Sequence, residues 1–191
     1  MKENKQPAKK FLMIFVVILI FGSWVGLLAE TVMFSVSGGY LFPSDSGYKE
    51  IYGHKVIIPE FKLGIRVFKE IYIYGSFYSF SKSGLTPQLQ EPASSKQQFF
   101  GGGLGYFPNL GKHWKLFLGA EVMAATYREE AMETIVSGHR TGFSVEGGIY
   151  LKEKFMILGI NGAYTSASGS YEGASFKLGG SRASVALGFV F

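Results

Sequence analysis

The chain has 191 residues, the length of one domain, and combines 26 Gly, 18 Phe and 11 Tyr with no Cys. Because Gly costs about 1 kcal/mol in a helix interior, this composition argues against a helical bundle and favours many strands joined by tight turns. The missing Cys excludes a disulfide framework, thiolate metal sites and lipid attachment at a Cys. The net charge is +5.

Most of that charge lies at the N-terminus. Residues 1–29 carry +3, from four Lys and one Glu, and the rest of the chain carries +2, from 15 basic and 13 acidic residues. Since no basic stripe follows, the sequence does not indicate a protein that binds nucleic acid.

The first 29 residues have the pattern of a secretory signal peptide. A positively charged segment precedes an apolar stretch from Phe11 to Leu28, and the small residue Ala29 follows. We therefore predict a signal peptide at 1–29, with cleavage after Ala29. The apolar stretch is also about as long as the shortest membrane-spanning helices, and Leu27 is bulkier than the residue favoured there, so an uncleaved anchor is the alternative. Both carry the rest of the chain across the inner membrane.

Eight later segments alternate with a period of two, the pattern of membrane barrel strands. In the second segment, Phe61 and Leu63 share one face while Lys62 and Arg66 share the other. The third is aromatic on both faces, so its orientation is open. In chain order, the predicted strands are 32–42, 60–68, 71–80, 97–107, 114–127, 140–151, 155–165 and a last strand from about 176 to 191.

The connections between these strands alternate in length. Long polar stretches, 44–58, 81–96, 128–139 and 166–175, follow the odd-numbered strands, and short ones, 69–70, 108–113 and 152–154, follow the even-numbered strands. Outer-membrane barrels have short periplasmic turns and long extracellular loops. The predicted fold is therefore all-β: an eight-stranded antiparallel up-and-down transmembrane β-barrel over residues 30–191.

Two soluble folds are the alternatives. A β-sandwich would not show this asymmetry of loop length. A lipocalin-like barrel would turn its apolar face inward, and the period-two pattern alone does not exclude that inversion. The leader, the alternating loops and the aromatic end of the chain together favour the membrane barrel.

The fourth strand carries inward glycines at 101, 103 and 105. The run GGGLG lacks the Lys and the Ser or Thr that follow in a phosphate loop. We therefore expect these glycines to make room for opposing long side chains.

The chain ends in ASVALGFVF, with Phe189 and Phe191 on the apolar face of the last strand. This stretch resembles the assembly signal of Gram-negative outer-membrane proteins, and an ordinary edge strand that ends in Phe is the alternative. The pattern of residues 30–191 resembles the small eight-stranded outer-membrane proteins of the OmpA, OmpX and OmpW type. The resemblance implies an outer-membrane location in a Gram-negative-type bacterium, with lipids, lipopolysaccharide and the barrel-assembly machinery as partners.

Charged residues fall on the predicted inward face. The interior of an eight-stranded barrel is just wide enough for side chains to fill, and an unpaired buried ion costs several kcal/mol. We therefore predict a network of ion pairs that plugs the barrel, with a gated or proton-coupled path as the alternative. The inward charged residues are Glu60, Lys62, Arg66, Lys115, Glu121, Arg140, Glu146 and Arg182.

A symmetric hairpin between the fifth and sixth strands would place Glu121 beside Glu146. Two adjacent carboxylates need a cation or a shared proton. Arg66, across the barrel from the sixth strand, is the predicted cation, and Arg140 lies on the same strand as Glu146.

The histidines give little indication of an enzyme. Ser137 and His139 share the parity of the lipid-facing residues. Outer-membrane lipid A deacylases carry these two residue types in the order His-x-Ser, whereas this chain has Ser-Gly-His. His54 and His113 lie in predicted connections. Solvated histidines are the favoured interpretation, and we predict no catalytic, cofactor-binding or metal-binding residues. The predicted function is a non-enzymatic barrel whose loops present a surface to an unknown ligand. The alternatives are a narrow pore for small hydrophobic solutes and, after it, a lipid A-modifying enzyme.

Overall fold

The computed structural model describes residues 31–131, 134–171 and 174–191. The predicted signal peptide, 1–29, lies outside the described residues. Within them, no helix has the length and apolar character needed to cross a membrane. The described elements are β1 Val32–Pro43, α1 Ser46–Tyr52, β2 Val56–Phe68, β3 Ile71–Leu85, β4 Pro92–Tyr106, β5 Trp114–Ala131, β6 Thr134–Glu153, β7 Met156–Tyr171 and β8 Ala174–Val190.

The eight described strands form one closed sheet. Each pairs antiparallel with its neighbours in sequence, and β8 pairs with β1 to close the barrel. The predicted fold class, an eight-stranded antiparallel up-and-down barrel, is confirmed. Closure removes the edge strands on which an open sheet could aggregate.

The barrel wall alternates between apolar residues outside and mixed residues inside. In β6, Phe143 and Ile149 are exposed, whereas Glu146 and Tyr150 are buried. The apolar outward positions run from 143 to 151, about the 9–11 residues that a tilted strand needs to cross a bilayer. His139, further along the same outward face, is polar, so the apolar belt ends before the strand does.

The orientation of β3 is shown by the burial of its side chains. Its aromatic residues Tyr72, Tyr74 and Tyr78 are buried inside the barrel, whereas Ile71 and Ile73 are exposed on the outer face. Side chains alternate along a strand, and β3 is aromatic on its inward face and aliphatic at the start of its outward face.

Three of the four predicted long loops are largely strand. The ladders extend through 81–96, 128–139 and 166–175 to the pairs Leu85 with Pro92, Ala131 with Thr134, and Tyr171 with Ala174. The polar residues that suggested loops lie mainly on the outward face, because this part of the wall extends beyond the apolar belt. The connections after β2 and β4 are short, as predicted, and the one after β6 is residues 154–155, because 152 and 153, predicted as part of it, belong to β6.

The remaining long connection, between β1 and β2, contains the helix α1. Asp45 caps its N-terminus by accepting a hydrogen bond from the Tyr48 N–H at 2.9 Å. Gly53, with φ of 89°, ends it and donates its N–H to the Lys49 carbonyl at 2.9 Å. Tyr48 and Tyr52, one turn apart, are buried with ring centroids 4.6 Å apart. The helix therefore covers the end of the barrel opposite the short turns, which we call the outer end.

The described interior has three layers. The charged layer, in the middle, consists of Ser37, Glu60, Lys62, Ser76, Glu121, Ser144, Glu146, Thr165 and Arg182. The outer aromatic cluster contains Leu41, Tyr48, Tyr52, Val56, Ile58, Tyr78, Phe80, Ala93, Phe99, Met123, Ala125, Tyr127, Ala167 and Leu178. The inner aromatic cluster contains Met33, Tyr72, Tyr74, Phe107, Phe117, Tyr150, Ile157, Ala186 and Val190. The charges are thus enclosed between two largely apolar clusters.

The inward glycines of β4 make the space for this filling, as predicted. A Cβ at Gly101 would collide with the Glu121 carboxylate and lie 2.5 Å from the sulfur of Met123, and one at Gly105 would lie 2.7 Å from the ring of Phe117. Gly102, on the outward face, has nothing within 4 Å of the same position. The inward glycines are therefore required by close packing.

We expect Gly101→Ala to lower the free energy of unfolding by about 1–3 kcal/mol, because the added methyl displaces the Glu121 carboxylate. Gly102→Ala, one residue away in the same strand, is the control and should change it by no more than about 0.5 kcal/mol. Urea unfolding in lipid vesicles, followed by Trp114 fluorescence, measures both. Equal effects of the two substitutions would contradict the packing role of Gly101.

Candidate functional site

The charged layer is the candidate functional site. Its members come from β1, β2, β3, β5, β6, β7 and β8, and each points inward because its position has the inward parity of its strand. Glu60 and Lys62, two residues apart on β2, therefore lie on the same inward face. Residues far apart in the sequence meet here because the barrel closes.

Arg182 on β8 lies at the centre of one ion-pair group. Its Nη1 donates to Glu60 Oε1 at 2.9 Å, and its Nη2 lies 4.0 Å from Glu121 Oε1. Nη2 also donates to the Ser144 hydroxyl at 3.3 Å, and the guanidinium carbon lies 4.2 Å from the centroid of the Tyr78 ring. One cation thus contacts two carboxylates and an aromatic face, and its side chain is 2% exposed.

Lys62 forms a second pair with Glu146. The Nζ of Lys62 donates to Glu146 Oε2 at 2.5 Å, and the side chains are 3% and 2% exposed. The same ammonium lies 4.9 Å from the centroid of the Phe117 ring and 5.6 Å from that of Tyr74. The carboxylate and the aromatic faces together offset the free energy that the ammonium loses when it is removed from water.

Serine hydroxyls bind one carboxylate oxygen of Glu60 and one of Glu121. Ser37 donates to Glu60 Oε2 at 3.2 Å, and Ser76 donates to Glu121 Oε2 at 2.7 Å. The other oxygen of Glu121 accepts no hydrogen bond from the described residues. Three carboxylates therefore share two cations within this layer, and Glu146 Oε1, like Glu121 Oε1, accepts no hydrogen bond from the described residues.

The register of β5 and β6 corrects the predicted neighbours. Glu121 is opposite Ser144, and Glu146 is opposite Gly119, so the two carboxylates are offset by two residues instead of lying side by side. The prediction assumed a hairpin symmetric about the connection 128–139, but the ladder closes on the pair Ala131 with Thr134. The centre of the hairpin therefore lies one residue earlier, which shifts the pairing by two residues.

Two of the predicted cations lie outside the charged layer. Arg66 is half-buried near the inner end of β2, and the cations paired with the three carboxylates of the charged layer are Lys62 and Arg182. Arg140 lies in the outer extension of β6, where it donates to the carbonyls of His139 and Ser170 at 2.8 and 3.2 Å. Parity predicted the face on which these residues lie but not their height along the barrel.

Lys115 points inward, as predicted, but belongs to a different part of the interior. It is 1% exposed, and its Nζ lies 4.7 Å from the centroid of the Phe107 ring and 3.5 Å from the Phe107 carbonyl. Lys115 therefore borders the inner aromatic cluster.

Phe189 and Phe191 lie on the outer surface, stacked with Phe155. Each pair of these three rings has centroids 6.0 Å apart, with interplanar angles between 11° and 20°. The N–H and carbonyl of Phe191 bond to the backbone of Val32 at 2.9 and 3.0 Å. The predicted face is confirmed, and the assembly role of the two residues stays a prediction.

The histidine candidates lie outside the barrel interior. Ser137 and His139 face outward on β6, and His113 Nδ1 lies 3.5 Å from Glu153 Oε2 with both side chains well exposed. In the part of the chain that the structure describes, no three His, Asp or Glu side chains are grouped to hold a metal ion.

We expect Arg182→Met to lower the free energy of unfolding by about 3–5 kcal/mol, because it leaves Glu60 and Glu121 buried without their cation. The control is Arg128→Met, which breaks an exposed 3.6 Å pair with Glu130 and should cost no more than about 1 kcal/mol. Urea titration of both variants in the same vesicles makes the comparison. A similar loss in the two variants would show that the buried pairs contribute no more than the exposed one.

Comparison with protein-family models gives no match, and comparison with curated proteins gives none either. Among solved structures, the chain is similar to Neisserial surface protein A, at 11% identity and a TM-score of 0.63 over 85% of this chain and 98% of that one. It is similar to the outer membrane protein OprG from Pseudomonas aeruginosa, at 14% identity and a TM-score of 0.63 over 85% and 97%. It also resembles Ail, the attachment invasion locus protein of Yersinia pestis, at 12% identity and a TM-score of 0.52 over 85% and 99%. At these identities the likeness is one of fold: the chain has the fold of the small eight-stranded outer-membrane barrels.

Proposed function

We propose that this protein is a non-enzymatic integral barrel of the outer membrane of a Gram-negative-type bacterium. Its lumen is closed, and its outer rim presents a surface to the medium. The observation that carries the proposal is the filled interior, in which the charged layer lies between two aromatic clusters and α1 covers the outer end.

The distribution of exposed residues supports the membrane location. Large apolar side chains are exposed around the wall, among them Leu63, Leu104 and Ile160, each more than half exposed. A surface this apolar is stable in lipid and not in water. Lipids and lipopolysaccharide are therefore the proposed surroundings of the barrel, and the polar outer extensions of the strands would stand above the bilayer.

The buried ion pairs support a closed lumen over a conducting one. A solute crossing the barrel would have to pass Arg182 and Lys62, each held by a carboxylate and an aromatic ring. Separating either pair leaves buried charges unpaired, at a cost of about 3–5 kcal/mol. The pore for small hydrophobic solutes is the alternative that the following experiment tests.

Assembly of the barrel would depend on β8, the strand that closes the sheet against β1. The stacked rings of Phe189 and Phe191 lie on its outward face, where the barrel-assembly machinery could contact them before the barrel closes. This partner rests on the resemblance of the strand and stays a prediction.

Purified protein inserted in planar lipid bilayers should give no discrete channel openings, because the charged layer leaves no continuous aqueous path. Insertion is verified by a shift in gel mobility between unheated and boiled samples, since closed barrels usually resist detergent until heated. Regular single-channel openings from protein that shows this shift would contradict the closed lumen and favour the pore.

A further inference from the structure

A cavity of about 350 Å³ lies at the outer end of the barrel, between α1 and the outer extensions of β5, β6 and β8. We call it the rim cavity. Aromatic rings form much of its wall, and its volume is within the range of small-molecule sites, about 300–1,000 Å³. The residues used below to describe it are Asp45, Tyr48, Tyr52, Tyr127, Glu129 and Phe176.

The walls of the rim cavity are fixed by contacts on both sides. The rings of Tyr127 and Phe176 pack edge to face with centroids 5.1 Å apart. On the α1 side, Asp45 Oδ2 accepts the N–H of Lys177 at 2.9 Å, and the Ser44 N–H bonds to the Gly179 carbonyl at 3.0 Å. These bonds tie the start of α1 to β8, so the cavity is formed before any ligand arrives.

Glu129 supplies the charge in this aromatic wall. It is half-buried and accepts a hydrogen bond from Ser95 at 3.3 Å. Burial raises the pKa of the Glu129 carboxyl; the Ser95 hydrogen bond lowers it in part, and the negative charge of Asp45 raises it again. Among the described residues, no cation forms an ion pair with Glu129. A carboxylate in this position attracts a positive partner.

Two other charged groups at the rim cavity, Asp45 and Arg140, are held by hydrogen bonds, and Lys177, which also lines the cavity, gives its backbone N–H to Asp45. Both oxygens of Asp45 accept backbone N–H groups, from Tyr48 and Lys177. Arg140 lies against the rings of Tyr127 and Phe176, 6.0 and 5.9 Å from their centroids, and is held by two backbone carbonyls. The negative charge of Glu129 is thus available to attract a positively charged ligand in the cavity.

We propose that the rim cavity binds a small organic cation, with an ammonium group at Glu129 and an apolar or aromatic body against Tyr48, Tyr52 and Tyr127. Aromatic faces attract cations, so the aromatic walls of the cavity and the Glu129 carboxylate both favour a positively charged ligand. An anion would meet two carboxylates, and a neutral apolar molecule would bury Glu129 without a partner. The inference rests on the proposed function in one respect: it takes this end of the barrel to face the medium.

Calorimetric titration of the purified barrel in detergent tests this directly, with tryptamine as the probe. Indole-3-propionate, which has a similar apolar body and the opposite charge, is the comparison ligand. Tryptamine should bind, and indole-3-propionate should bind at least about tenfold more weakly. Glu129→Gln should weaken tryptamine binding by about tenfold, the effect of losing one charge-assisted contact worth about 1.4 kcal/mol.

Glu130→Gln is the matched control, since it makes the same chemical change one residue away. Glu130 is exposed and paired with Arg128 on the opposite face of β5, so this variant should bind tryptamine as the unmodified protein does. The heat-dependent gel shift verifies that both variants are folded.

Three results would overturn the proposal: no tryptamine binding at millimolar concentration, equal binding of the two ligands, or equal affinity of the Glu129 and Glu130 variants. Binding is measured in detergent and is independent of conductance. A barrel that conducts ions and still binds tryptamine through Glu129 would contradict the closed lumen and leave the rim cavity site standing.

Discussion

Charges buried inside this closed barrel must be paired, and the register of its strands follows from that requirement. Three carboxylates and two cations share the middle of a lumen that is only wide enough for side chains. Arg182 joins Glu60 and Glu121 at one side, and Lys62 holds Glu146 at the other. Because an unpaired ion here would cost several kcal/mol, these strands must keep the register that brings each cation to its carboxylate.

The layers around the charges strengthen this pairing. The outer and inner aromatic clusters exclude water from both ends of the charged layer, and attraction between charges increases as water is removed. The glycines of β4 are part of the same arrangement, since Gly101 leaves the space that the Glu121 carboxylate occupies. At the outer end, α1 completes the outer aromatic cluster with its two tyrosines and also forms one wall of the rim cavity. A single short helix therefore closes the lumen and contributes to the proposed ligand site.

The sequence predicted correctly which side chains point into the barrel, but it predicted poorly where they lie along the barrel axis. The period of two placed Glu60, Lys62 and Arg182 inside the barrel, because parity alone decides the face of a strand. It could not show that Arg140 lies above the charged layer, since that depends on the register of pairing and the lengths of the strands. Polar outward residues beyond the apolar belt have the same sequence pattern as loops. The helix α1 was missed, although Asp45 and Gly53 are suitable caps and the spacing of Tyr48 and Tyr52 gives one buried face.

A double-mutant cycle between Lys62 and Glu146 measures most directly whether paired buried charges hold the interior together. Lys62→Met and Glu146→Gln, alone and combined, are compared by the free energy of unfolding in lipid vesicles. Each single substitution leaves the other partner buried alone, whereas the double substitution removes the pair. We expect the double variant to lose about 1–3 kcal/mol less than the sum of the two single losses. Single losses that simply add would contradict the account, because they would mean that the two side chains contribute independently.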